Sequence, residues 1–123
     1  MSVLKNTFDP EYTQFSVSGV KDIDFPFDDD YVGLAANRTC ISVGCQYYMD
    51  GPTTITMGDY EDVAHPLAEP RFDGYIDTPD RRVDIFDANI PEILSMAVPQ
   101  TRTRVRIWTN HKTEPDDVVI ALG

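Results

Sequence analysis

Two stretches of this chain concentrate the side chains best suited to recognition or chemistry. The first is Asp22-Ile-Asp-Phe-Pro-Phe-Asp-Asp-Asp-Tyr31, in which Asp22, Asp24, Asp28, Asp29 and Asp30 interleave with Ile23, Phe25, Phe27 and Tyr31. Carboxylates beside aromatic rings suit contact with a basic protein surface, the charges meeting Lys and Arg and the rings acting as apolar anchors. They also suit Ca2+, which takes about six to eight oxygen ligands. The spacing lacks the Asp-x-Asp-x-Asp-Gly run of an EF-hand loop, so the metal reading is the weaker one. A solvated loop pinned by two buried Phe side chains is the structural alternative. We place the expected contact surface at Asp22, Asp24, Phe25, Phe27, Asp28, Asp29, Asp30 and Tyr31, with no metal or cofactor.

The second stretch is Thr101-Arg-Thr-Arg-Val-Arg-Ile-Trp-Thr-Asn110. A two-residue period puts Thr101, Thr103, Val105, Ile107 and Thr109 on one face of a strand and Arg102, Arg104, Arg106, Trp108 and Asn110 on the other. Such a ladder could grip phosphate or carboxylate through forked hydrogen bonds. It could equally pair with Asp or Glu on neighbouring strands. Residues 81–123 carry six acidic and six basic side chains, a balance that favours paired arginines.

No motif in the chain points to a catalytic centre, although carboxylates paired only by the fold would leave no trace in the sequence. There is no Gly-x-Ser-x-Gly elbow, phosphate-binding Gly-Lys loop, His-Glu-x-x-His or dinucleotide fingerprint. His65 precedes a proline and His111 precedes Lys112, and neither has a local nucleophile to activate. Cys40 and Cys45 are five residues apart, which on a regular strand sets them on opposite faces and opposes a disulfide. Zinc would need further Cys or His at short spacing. Buried free thiols fit a reducing compartment, and the start Met-Ser-Val-Leu-Lys-Asn lacks the apolar run of a secretory signal. A cytoplasmic, non-enzymatic protein is expected.

The elements that must position these residues read as short strands. Residues 13–20, 39–45, 53–57, 71–78, 82–86, 92–98, 101–110 and 117–122 are β-type runs divided by Pro, Gly, Asn and Asp. Residues 92–98 also suit a helical turn, and residues 58–69 read as a loop. About eight strands with short connections imply one all-β domain over residues 1–123, an antiparallel two-sheet sandwich, with a small barrel as the alternative. The net charge of −11 is unevenly placed: residues 1–80 carry fifteen acidic and four basic side chains. That field repels nucleic acid and anionic membranes and attracts a basic partner.

The order of features resembles the ComJ-type competence proteins, inhibitors of the DNA-entry nuclease. It runs from Tyr12-Thr-Gln-Phe-Ser-Val17 through Tyr31-Val-Gly-Leu-Ala-Ala36 to Cys40-Ile-Ser-Val-Gly44. Arg82-Val-Asp-Ile85, Ile93-Leu-Ser-Met-Ala-Val-Pro99 and Arg104-Val-Arg-Ile-Trp-Thr109 follow. The resemblance transfers no functional residue to a numbered position. It implies a basic protein partner, a nuclease, neutralised in competence or as immunity to a toxin. The alternatives are a calcium- or ligand-binding sandwich and a structural subunit of a bacterial or phage assembly.

Overall fold

The structure, a computed structural model, describes residues 3–26, 33–66 and 68–123. Among these residues ten strands form two five-stranded sheets. One sheet has the order β1 (Val3–Phe8), β5 (Thr53–Asp59), β10 (Asp117–Leu122), β9 (Arg102–Thr109), β6 (Phe72–Asp77). The other has the order β3 (Leu34–Ala36), β4 (Cys40–Gly44), β2 (Gln14–Ser18), β7 (Arg82–Phe86), β8 (Leu94–Ala97). A 3-10 turn, Tyr48–Asp50, precedes β5. The expected β-sandwich is the fold observed.

The alternation that suggests each strand also builds the core. Ile55 and Met57 of β5, Val105 and Ile107 of β9, and Val118, Ile120 and Leu122 of β10 face inward. They meet Phe15 and Val17 of β2, Ile41 and Val43 of β4, and Val83 and Ile85 of β7. The cluster thus joins the inner faces of both sheets, the arrangement that makes a sandwich stable.

Two expectations need correction, and one alternative is settled. There are ten strands among the described residues, not about eight: β1 and β3 escaped notice because edge strands show little alternation, and in β1 only Phe8 is fully buried. The sheets are not wholly antiparallel, because β10 lies between β5 and β9 and runs parallel to β5. Short connections could not reveal this, since the pairing joins residues far apart in sequence. The stretch around Leu94 resolves as strand β8, whose Ser95 and Met96 pair with Asp84 and Val83.

Register also sets what lies outside the sandwich. β5 and β6 run in the same direction with β10 and β9 between them. The linking residues 60–71 must therefore cross those two strands, and they do so over the outer face of the sheet. There Val63, Trp108 and Ala121 form a second buried cluster with Tyr60 and Val119 packed against it.

Cys45 belongs to the main core, whereas Cys40 lies beside Ser16 and Ser42 on the opposite face; both are buried and free. Burial pushes the Cys45 thiol up to about 12 and raises Cys40 in the same direction. In the unfolded chain these thiols ionise near about pH 8.5. The stability they contribute is whole below that value and is lost as pH climbs through the folded-state pKa. We expect denaturant midpoints to fall from about pH 9 to about pH 11, and to fall less steeply in Cys45→Ala. At neutral pH a thiol reagent should label neither cysteine until the protein unfolds.

Candidate protein-binding surface

Of the acidic strip, the structure describes Asp22, Asp24 and Phe25, while Phe27, Asp28, Asp29, Asp30 and Tyr31 lie outside the described residues. The backbone of Asp24 is pinned beside the start of β4. Its N–H donates to Thr39 Oγ1 (3.2 Å), and its carbonyl accepts from Asn37 Nδ2 (2.7 Å). The carboxylates of Asp22 and Asp24 belong to exposed residues. The Phe25 ring meets Phe86 edge-on at 6.5 Å yet remains 57% exposed. Phe25, Phe86, Tyr12, Gln14 and Ser16 share a cleft of about 150 Å3. The described part of the strip is therefore a fixed backbone presenting carboxylates and one exposed ring.

The arginine face is occupied, by a carboxylate at Arg104 as the local charge balance suggests, and by tyrosine rings at Arg102 and Arg106. Arg104 holds Asp73 through two hydrogen bonds of 2.9 and 2.7 Å, and that pairing holds the Asp73 carboxyl below its usual range. The Arg102 guanidinium lies 4.8 Å over the Tyr75 ring. Arg106 lies 3.4 Å over Tyr60 and donates to the Gly123 carbonyl at 2.6 Å. Beyond Tyr60 the stack continues to His65 (4.7 Å) and Trp108 (4.5 Å), whose Nε1 donates to the Ala68 carbonyl. His65 is thus a spacer between two rings. His111 accepts from the N–H groups of Thr113 and Glu114, closing a turn. Among the described residues no three His, Cys, Asp or Glu side chains are grouped to hold a metal. No helix among them is long and apolar enough to cross a membrane.

Strand directions gather the loops after β1, β4, β7 and β9 at one end of the sandwich. These loops carry Asp9, Glu11, Asp50, Asp87, Glu92, Glu114 and Asp116 against the single Lys112. Exposed Tyr12, Tyr47, Tyr48 and Met49 occupy the same end. Sequence reading passed over this cluster. The available signal was Tyr47-Tyr48-Met49 immediately before the turn Asp50-Gly51-Pro52, three large apolar side chains where no strand pattern buries them.

No protein-family model matches the chain, and no curated protein matches it. Among solved structures it is similar to ComJ from Bacillus subtilis, an inhibitor of the DNA degrading activity of NucA. The TM-score is 0.65 and the identity 16%, over 97% of this chain and 93% of that one. It is also similar to the protein of crocagin biosynthetic gene J, with TM-score 0.53 and 13% identity over 99% and 97% of the two chains. At these identities the likeness is one of fold, and at that level the resemblance read from the sequence is borne out.

The stack over β9 makes its own prediction. Trp108→Ala should cost about 3 kcal/mol of stability and speed proteolysis within residues 60–71, because the linking segment loses its hydrogen bond to Nε1 and its ring contact. Arg104→Gln should lower stability only slightly, since the pair it breaks is solvent-exposed. Urea unfolding with limited proteolysis reads both.

Proposed function

We propose that this chain is a non-enzymatic inhibitor of a nuclease, acting in the cytoplasm by laying acidic surface over the enzyme's basic groove. The observation that carries the reading is the fold shared along almost the whole chain with ComJ, an inhibitor of the DNA degrading activity of NucA. The charge supports it independently. A DNA-cutting enzyme must present Lys and Arg to phosphates, and this chain carries a net charge of −11 with all the excess in residues 1–80. The contact surface in this reading includes Asp22, Asp24, Phe25, Phe27, Asp28, Asp29, Asp30 and Tyr31, the carboxylates steering encounter and the rings slowing release.

The test is a DNA-degradation assay with purified NucA and with each nuclease encoded beside this chain's gene. Near-stoichiometric inhibition of at least one is expected. The triple variant Asp28→Asn, Asp29→Asn, Asp30→Asn should keep its fold by circular dichroism while associating about tenfold more slowly at low salt, with a weaker salt dependence. Arg104→Gln should bind as the parent does. An unchanged association rate in the folded triple variant removes this segment from the interface, and failure to inhibit any of these nucleases removes the function.

A further inference from the structure

We propose that the turn carrying Tyr47, Tyr48 and Met49 is an apolar anchor that enters a recess on a protein partner, the recess being ringed by Lys and Arg. The proposal rests on the reading that the chain binds a basic protein, and it adds where the grip is made. Met49 is 71% exposed, more than any other large apolar side chain among the described residues, and Tyr47 and Tyr48 are exposed beside it. Scattered apolar residues on a surface need no explanation, but a contiguous group marks a contact site. The rings of Tyr47 and Tyr48 lean on each other at 4.7 Å, and both remain exposed. Tyr12, 55% exposed, extends the group from the neighbouring loop, where the Thr13 carbonyl accepts the Cys45 N–H. Tyr12 also lines the cleft of Phe25, which makes the apolar surface continuous with the described part of the acidic strip.

The turn is held in shape before any partner arrives. Asp50 N–H donates to the Tyr47 carbonyl (2.9 Å) and Gly51 N–H to the Tyr48 carbonyl (3.1 Å). Gln46 braces it twice, through its N–H to the Pro115 carbonyl and its Nε2 to the Pro52 carbonyl. Gly51 has φ +125°, a conformation that residues with a Cβ rarely adopt. A prefixed turn loses little conformational freedom on docking, so more of its contact energy appears as affinity. Tyr and Met suit the role, being large side chains that adapt to a recess.

Charge selects the occupant. Asp50 shares an open groove with Asp116, Asp117 and one cation, Lys5, and the contact with Tyr48, with smaller help from burial and from the carboxylates of Glu11 and Asp50, raises the Tyr47 phenol above its ordinary value. An acidic rim repels nucleic acid, an anionic membrane and a second copy of the same acidic end. It complements a protein whose recess is rimmed by cations.

Binding kinetics against the nuclease identified in the inhibition assay provide the test. The double variant Tyr48→Ala, Met49→Ala should melt as the parent does and dissociate at least about tenfold faster with little change in association rate. Glu11→Gln with Asp50→Asn should show the reverse, slower association and near-parental dissociation. Tyr75→Ala, an exposed ring on the arginine face, should change neither. If the parent inhibits the nuclease while the folded Tyr48, Met49 variant dissociates at the parental rate, the anchor is wrong and the inhibitor reading stands. If the parent inhibits none of the nucleases, the inhibitor reading falls first and the anchor with it. Self-association of the parent in sedimentation, lost in the double variant, would name a second copy as the occupant and overturn the proposal.

Discussion

The chain leaves β5 and enters β6 travelling in the same direction, with β9 and β10 between them in the sheet. That connection cannot be a hairpin. It has to pass over the outer face, where its backbone and apolar side chains need partners. Trp108 supplies both, through its indole N–H and its ring, and His65, Tyr60 and Arg106 extend the stack. β10 is the strand beneath, and its Val119 and Ala121 give the crossing an apolar floor. The parallel insertion of β10 beside β5 and the covering of the face are thus two results of one topological requirement.

Electrostatics follow from the same arrangement. Much of the positive charge sits on β9 and β7, where it is used at home: Arg104 on Asp73, Arg106 on Tyr60 and Gly123, Arg82 on Asp84 and Glu92. Exposed pairs of this kind add little to stability. Their larger effect is on the outward field. Carboxylates spent on these arginines no longer contribute to it, while those on the loops after β1, β4 and β9 largely do. The loops after β1, β4 and β9 thus concentrate carboxylates at one end of the molecule.

Much of this could be read from the sequence wherever local alternation decides the outcome. β7 and β10 have the bounds expected of them, and the two faces of β9 are assigned correctly by counting in twos. Alternation fails at β1 and β3, which are edges with one poorly buried face. It is silent on the place of β10 beside β5, which depends on residues more than sixty positions apart. The candidate surface divides in the same way. Residues 22–31 stand out by composition alone. Tyr47, Tyr48 and Met49 do not, because apolar residues ahead of a turn look like the tail of a buried strand until the fold shows them exposed. The His65–Trp108 contact was beyond reach for a different reason, since stacking across 43 positions leaves no local signature.

Charge by itself would make a poor inhibitor. Every protein that handles nucleic acid offers Lys and Arg, so an acidic surface attracts many partners and distinguishes few of them. Discrimination needs something that fits one partner and obstructs others. A rigid, protruding aromatic turn has that property. On a flat basic surface it would hold the two proteins apart and leave the carboxylates at a distance where salt screens them. On a surface with a matching recess it lets the acidic rim close on the cations and exclude water around them. In the proposed reading steering and selection are separate functions of neighbouring residues, the first set by long-range field and the second by the shape of a turn whose backbone is held before contact.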